Sequence, residues 1–151
     1  MLMAEAIAKK EAKETKPRKR KAKVVVTRGK RKTAVARASV YPGTGIITIN
    51  GIHINAVSDG IVRETILEPF SFIEGTPYDA ELNVSGGGVM GQAQACRTAL
   101  ARGLVEISKD EELRKRMLDF DRSLLIEDPR RVEPKKFKGP KARARFTKSY
   151  R

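Results

Sequence analysis

The stretch GVMGQAQACRTALARGLVEI, residues 88–107, repeats apolar side chains at intervals of three or four residues. The apolar positions are Val89, Ala93, Cys96, Leu100, Leu104 and Ile107. Side chains at this spacing share one helical face, so the stretch predicts an amphipathic α-helix. Ser108 and Glu111 then form a capping-box pattern, which predicts a further helix through about Phe120. Its inward residues are predicted to be Leu113, Met117 and Leu118.

Two strands are predicted on the N-terminal side, over residues 24–30 and 33–42. The second strand alternates, and its inward face is predicted to carry Ala34, Ala36, Ala38 and Val40, with Val35, Arg37, Ser39 and Tyr41 on the other face. Gly29 can adopt a positive φ, which predicts the hairpin turn there. Four cations crowd this predicted tip, namely Arg28, Lys30, Arg31 and Lys32. Their density favours a contact with an anion.

The middle of the chain predicts a helix between two strands. A Pro-Gly turn leads into a short β-branched strand that ends at Asn50-Gly51. Residues 59–68 predict a helix capped by Ser58 or Asp59 and followed by Pro69. Its inward residues are predicted to be Ile61, Val62 and Ile66. AELNV, residues 80–84, predicts the next strand.

Charge divides the chain into three parts. The 151 residues carry a net charge of +14, of which residues 1–23 contribute +6 and residues 129–151 contribute +9, so the remainder carries −1. This division predicts one globular domain, residues 24–128, between a basic flexible N-terminal extension and an extended basic C-terminal arm. Prolines and a glycine interrupt the arm, and it is too polar to fold alone in water. Such a charge predicts a polyanionic partner, either nucleic acid or an anionic membrane surface.

Cysteine usage and the N-terminal sequence indicate a cytoplasmic protein. Cys96 is the only cysteine, so an intramolecular disulfide is excluded, as expected in a reducing cytosol. No apolar run approaches 18 residues, and the first residues lack the apolar stretch of a secretory signal. The alternating Ala and Lys leave an organellar presequence open, although Glu5, Glu11 and Glu14 argue against it.

The loop SGGGVMG carries the best argument for an enzyme. Gly86, Gly88 and Gly91 form G-x-G-x-x-G between a predicted strand and a predicted helix, as a dinucleotide-binding loop requires. However, the second strand with its acid about twenty residues further on is missing. His53, the one histidine, has no ligand or nucleophile at motif spacing, so we interpret it as structural. Tight packing, or approach to an RNA backbone, accounts for the glycines.

RNA is the polyanion that the arms fit best. Neither arm has the apolar face of a membrane-binding helix. The sequence contains no helix-turn-helix spacing, zinc finger or basic zipper, which are the motifs typical of sequence-specific DNA-binding proteins. Folded RNA has narrow crevices lined with phosphates, which a thin arm of Arg and Lys can enter. Phe137, Phe146 and Tyr150 could stack on bases there.

Three ordered blocks carry a resemblance to a known family. GKRKTAVARASVYPGTGIITING, VSGGGVMGQAQACRTALARGLVEI and DPRRVEPKKFKGPKARARFTKSYR resemble the ninth protein of the small ribosomal subunit, in its archaeal form. The resemblance covers residues 24–151, and the ending KSYR is similar to archaeal and eukaryotic members. Residues 1–23 match no feature of the family.

The resemblance implies a fold and a function. The fold is an α+β domain, a β-sheet packed with helices, with a left-handed strand–helix–strand crossover. The family binds small-subunit ribosomal RNA in the head of the subunit, beside neighbouring head proteins, and is not an enzyme. The tip of the C-terminal arm reaches peptidyl-site transfer RNA. The protein is thus expected in the cytoplasm, in the ribosome, with no catalytic residue, cofactor or metal.

The residues expected to contact RNA follow from the same resemblance. Ribosomal RNA is expected to contact Arg28, Lys30, Arg31, Lys32, Arg37, Gly86, Gly87, Gly88, Arg130, Arg131, Lys135, Lys136, Lys138, Lys141, Arg143 and Arg145. The transfer RNA contact is expected at Lys148, Ser149, Tyr150 and Arg151. Tyr150 departs from the lysine of bacterial members, so it would stack or donate one hydrogen bond instead of adding charge.

Two other functions stay open at this point. A free-standing nucleic-acid-binding protein, such as an RNA chaperone or a chromatin-like DNA binder, could use the same arms nonspecifically. A nucleotide-dependent enzyme would retain its cofactor on purification.

Overall fold

The N-terminal hairpin consists of β1, Val25–Arg31, and β2, Ala34–Pro42, paired antiparallel. The structure is a computed structural model, and it describes residues 24–73, 75 and 77–148. The predicted N-terminal extension and the predicted tip, Ser149–Arg151, lie outside the described residues. Arg31 pairs with Ala34, so Lys32 and Thr33 make the turn, and Lys32 adopts a φ of 54°.

The predicted turn at Gly29 is wrong. Gly29 lies inside β1, opposite Ala36, and is buried. A methyl group there would overlap the carbonyl oxygen of Ala95 and lie 2.7 Å from the backbone nitrogen of Ala99. The glycine is therefore required by the close approach of a helix to the strand rather than by a turn.

The strands of the described residues form one five-stranded sheet in the order β1-β2-β5-β3-β4. The further strands are β3, Ile47–Ile49, β4, Ile52–His53, and β5, Tyr78–Ser85. β5 pairs antiparallel with β2 and parallel with β3. A parallel pair needs a crossover connection, and this one contains α1, Gly60–Leu67. The left hand of the crossover stays a prediction.

Helices cover one face of this sheet and confirm the α+β class. α2, Val89–Ser108, packs across β1 and β2, and α3, Glu111–Phe120, follows it. Short 3-10 helices occupy Ile54–Ala56, Glu68–Phe72 and Arg122–Leu124. The predicted alanine face of β2 is fully buried against Ala93, Cys96, Leu100 and Leu104. Small side chains on both layers let helix and sheet approach closely.

Three details of the predicted helices are wrong. Ile61 is 66% exposed and Val89 is 63% exposed. Val89 stands in the first turn of α2, before its first buried residue, Ala93, whereas Ile61 adjoins Val62, which takes the buried position in the first turn of α1. Asp110, not Ser108, caps α3, since its side chain accepts from the Glu112 N–H after Lys109, at a φ of 57°, has ended α2.

The described part of the arm, residues 129–148, contains neither helix nor strand, as its prolines predict. None of the helices in the described residues is both long and apolar enough to cross a membrane.

Candidate nucleic-acid interface

The face of the sheet opposite the helices carries a row of cations. Arg28 lies directly across from Arg37, and Arg37 from Asn83 on β5. Lys30 stands on the same face, two residues along the strand and opposite Val35. Like charges on directly opposed residues destabilise a sheet. Their placement side by side is therefore explained best by a bound anion that neutralises both.

A shallow groove of about 400 Å³ runs along this face. Its lining includes both arginines, Asn83 and Ser85, with Val35 beside them. Guanidinium, amide and hydroxyl groups all donate hydrogen bonds to phosphate oxygens. The groove therefore offers donors to a phosphate backbone.

The glycine loop packs against the tip of the hairpin. Gly86 and Gly87 have positive φ values of 76° and 69°. A Cβ at Gly86 would lie 2.7 Å from the Thr33 carbonyl oxygen, and one at Gly87 would lie 2.9 Å from the Ala34 nitrogen. Only glycine fits these two positions, so they serve packing.

Gly88 differs from its two neighbours. It is exposed at the N-terminus of α2, and a Cβ there would have no atom within 4 Å. In the described residues α2 leads into α3 rather than into a strand, so a dinucleotide-binding unit is not formed. Of the three predicted glycine contacts, Gly88 alone has open space at its Cα, so a ligand can approach its backbone closely.

Arg31 points towards the helices, unlike the neighbouring cations. Its Nη1 lies 2.6 Å from Oδ2 of Asp128, and its Nε donates to Oε1 of Gln94 at 2.8 Å. Asp128 also accepts from the Arg130 N–H at 2.8 Å and pairs with the Arg130 guanidinium at 2.8 Å. These groups, led by the Arg130 N–H, hold the pKa of Asp128 below its usual value. Arg31 thus ties the hairpin to the start of the C-terminal arm.

Arg102 makes a second tie between the domain and the start of the arm. Its Nε donates to the Leu125 carbonyl at 2.8 Å, and its Nη1 donates to Glu127 and to the Arg28 carbonyl, both at 2.8 Å. Sequence reasoning missed Arg102, Glu127 and Asp128. The signal was available, since Glu127 and Asp128 are consecutive acids separated by one proline from the first two cations of the arm.

The predicted cations of the arm are on the surface. The exposed residues are Arg130, Arg131, Lys135, Lys136, Lys138, Lys141, Arg143, Arg145 and Lys148. Glu133 is the one acid of residues 129–151, and it pairs with Lys136 at 2.7 Å and with Arg143 at 2.9 Å. The other cations of this set, Arg130 apart, make no ion pair with another described residue.

The groups that an enzyme would need have structural roles. His53 Nδ1 accepts from the Asn55 N–H and caps a 3-10 helix, as expected for a structural histidine. Burial raises the pKa of the Cys96 thiol to about 12, so the thiolate of a nucleophile is not available at neutral pH. Among the described residues no group of His, Cys, Asp or Glu could hold a metal ion.

These features define a class of protein before any comparison is made. An uncovered basic sheet face and a basic arm anchored at its root are typical of a nucleic-acid-binding protein. They do not form a catalytic site.

Comparison with known proteins identifies the family. The model of the family described as ribosomal protein S9/S16 matches residues 29–151. The chain is 51% identical to the small ribosomal subunit protein uS9 of Halobacterium salinarum over 85% of this chain and 99% of that protein. It is 49% identical to uS9 of Thermoplasma volcanium over 84% and 98% of the two chains, and 44% identical to uS9 of Desulfurococcus amylolyticus over 87% and 95%.

The chain belongs to the ribosomal protein S9/S16 family. The family and the archaeal type that the sequence predicts are confirmed. The chain is a ribosomal protein and not an enzyme.

Proposed function

We propose that this protein is a structural constituent of the small ribosomal subunit in the cytoplasm, where it binds small-subunit ribosomal RNA in the head. Its uS9 relatives carry the small subunit in their names. The observation that carries the RNA contact is the opposed pair Arg28 and Arg37 on an uncovered sheet face. Such a pair destabilises the free sheet slightly, and a bound anion between the two side chains would offset that repulsion.

The domain binds RNA through the hairpin and the glycine loop. Lys30, Lys32 and Gly88 extend the basic face to the end of the hairpin, where α2 begins. Arg31 contributes indirectly, because its pair with Asp128 directs the arm. We therefore assign Arg31 to positioning and the other cations of the hairpin to phosphate contacts.

The C-terminal arm binds RNA that the domain cannot reach. Residues 129–148 form neither helix nor strand and carry exposed cations, while Asp128 and Arg102 hold their starting point. Phosphate contacts and the release of counterions supply the free energy that orders such an arm. Neighbouring head proteins complete the surroundings of the domain.

The tip of the arm contacts peptidyl-site transfer RNA. Lys148 is exposed at the end of the described residues, and Ser149, Tyr150 and Arg151 follow it. Arginine provides a fixed charge and planar donors for phosphate, and tyrosine provides a ring that stacks on a base. The contact is supported by the arrangement that the family resemblance implies.

Sedimentation of cell extract tests this function. The chain is followed by mass spectrometry through sucrose gradients at low and at high salt. An integral constituent is expected in stoichiometric amounts in small subunits after the high-salt wash. Release into the light fractions, with the salt dependence of phosphate contacts alone, would instead identify a free nucleic-acid-binding protein.

A further inference from the structure

Glu133 closes a loop within the C-terminal arm. Its two carboxylate oxygens accept from Lys136 at 2.7 Å and from Arg143 at 2.9 Å, ten residues further on. These donors, Lys136 first, lower the pKa of Glu133, so it is ionised at neutral pH. A lone acid among cations repels phosphate, so its presence in an RNA-binding arm needs a structural reason. Closing this loop is such a reason.

The backbone inside the loop is also specified. Lys138 has a φ of 62°, and Gly139 is buried although the arm around it is exposed. A methyl group at Gly139 would overlap the carbonyl oxygen of Ala144 and lie 3.2 Å from that of Lys141. The chain therefore folds back tightly after residue 138.

This loop displays an aromatic ring. Phe137 is 88% exposed, and the ammonium of Lys138 lies over its ring at 5.9 Å from the centroid. One face of the ring is thus near a cation, and the other is open to a ligand. Phe137 belongs to neither hydrophobic cluster of the described residues, so its ring is free to contact a partner.

We propose that Phe137 is a stacking site for an unpaired nucleobase of the ribosomal RNA, displayed by the loop that Glu133 closes. This inference rests on the proposed function and names the part of the RNA that the arm recognises. A paired base has both faces covered by its neighbours, whereas an unpaired base has a free face to stack on an aromatic ring. The surrounding lysines hold the phosphates on either side of that base.

The charge of the loop favours RNA over a protein as the partner of Phe137. Residues 133–145 carry six cations and one acid, a net +5. A protein surface would have to supply matching acids around an apolar pocket, while RNA supplies phosphates beside every base. The open ring, the ammonium and the excess of cations all fit one nucleotide with its flanking backbone.

Binding of the full chain to isolated small-subunit RNA tests the proposal, with Phe137→Leu against Val132→Ala. Val132 is 86% exposed in the same arm and is the matched control. Phe137→Leu removes the stacking ring and is expected to weaken binding about tenfold, within the range measured for one stacked base. The slope of affinity against salt should not change, because stacking releases no counterion. Lys138→Ala should lower that slope, and Phe137→Tyr should restore affinity.

The Glu133→Gln substitution distinguishes between two roles of Glu133, which are to close the loop and to repel phosphate. Removing an acid should strengthen RNA binding if the residue only repels phosphate. If the loop displays Phe137, the substitution should weaken binding about two- to tenfold, because the free loop must then be ordered on binding. Tighter binding by this variant would overturn the role of the loop.

Three further outcomes would overturn the proposal. Equal RNA affinity of Phe137→Leu and the unmodified chain removes the stacking site. Normal RNA affinity with poor incorporation of the variant into subunits shows that the ring meets a protein. A failure of the unmodified chain to prefer small-subunit RNA over an unrelated RNA contradicts the proposed function itself, before any variant is compared.

Discussion

Gly29 shows how one residue sets the distance between the two layers of the domain. It lies at the centre of β1, where a glycine weakens a strand, yet the backbone of α2 passes directly over it. Thr27, two residues earlier on the same face, donates its hydroxyl to the Ala99 carbonyl at 2.6 Å. The strand and the helix are thus in backbone contact, which any side chain larger than hydrogen would prevent.

Gly29→Ala is expected to destabilise the domain by about 1–3 kcal/mol, because the added methyl group has no room against Ala95 and Ala99. Thermal unfolding followed by circular dichroism measures the loss. Gly91→Ala is the control. Its added methyl group would lie in ordinary contact, 3.7 Å from Ala34 and from the Arg31 carbonyl, within helical backbone. That substitution should leave the midpoint unchanged or raise it; equal losses in both variants would contradict the steric explanation.

Asp79 gives the domain a dependence on pH. Its Oδ1 accepts three backbone N–H groups, from Ile46 at 2.8 Å and from Thr44 and Gly45 at 2.7 Å. These bonds, that of Ile46 first, hold the pKa of Asp79 below its usual value. A lowered pKa in the folded state stabilises the fold above the unfolded pKa of about 4, and this contribution is lost as the pH falls through the folded value.

The thermal midpoint is therefore expected to be flat between pH 7 and pH 5 and to fall below about pH 4. Asp79→Asn should lower the midpoint at pH 7 and reduce its fall below pH 4, because an amide oxygen accepts the same bonds without a charge. Thermal melts at a series of pH values compare the two chains. If the midpoint of the variant falls below pH 4 as steeply as that of the unmodified chain, other carboxylates, such as Asp128, dominate the loss of stability in acid.

At the scale of the elements, both strands of the hairpin are predicted to within one residue of their bounds, but the turn between them is misplaced. The alternation of β2 is strict because one face is buried and the other is open, and such a strand is readable with a period of two. In β1 the glycine was interpreted as a turn, although its neighbours continue the same alternation through residue 31. That period places Arg28 and Lys30 on the open face and Arg31 on the helix side. With the turn placed at Lys32-Thr33, the alternation of the strand is therefore enough to predict that Arg31 lies on the helix side of the sheet.

The two opposed arginines on the open face of the hairpin are expected to lower the stability of the free protein slightly and to strengthen its binding to RNA. Arg28→Ala or Arg37→Ala removes one of two opposed cations, so the midpoint of the free protein should stay the same or rise slightly. Each variant should bind small-subunit RNA more weakly. The slope of the logarithm of affinity against the logarithm of salt concentration, the salt slope, should decrease in magnitude by about one for each lost phosphate contact. Filter binding at several salt concentrations measures both effects.

Arg122→Ala is the control for this pair of variants. Arg122 is exposed on the 3-10 helix that follows α3, which packs on α2 and not on the open face of the sheet, and its removal lowers the net charge by the same amount. Its loss should leave the salt slope nearly unchanged. A similar reduction for all three arginines would indicate that only the total charge matters and that the sheet face is not a site.

At the scale of the whole molecule, the contact between hairpin and arm could not be predicted. Arg31 and Asp128 are 97 positions apart, and no local pattern links such residues. The polar character of the arm is readable from composition, because a segment so rich in cations and so poor in apolar residues cannot fold by itself. Where the arm starts and in which direction it leaves depend on the tertiary contacts of Arg31 and Arg102.

This anchoring predicts a division of labour along the arm. Deleting residues 149–151 should leave incorporation into small subunits nearly intact and weaken the retention of transfer RNA in the peptidyl site. Deleting residues 129–151 should harm assembly, because nine of the exposed cations and the Glu133 loop are then lost. Quantitative mass spectrometry of gradient fractions measures incorporation, and filter binding to purified subunits measures transfer RNA retention.

The two deletions are informative because both leave the root of the arm in place. Both Asp128 and Arg31 remain in either shortened chain, so their pair is expected to persist, although the longer deletion removes the Arg130 contacts to Asp128. An assembly defect in the longer deletion then reports lost RNA contacts instead of a loosened domain, and an unchanged thermal midpoint of the free chain checks this. Equal assembly defects in both deletions would contradict the division, since the last three residues would then matter for building the subunit as much as the whole arm does.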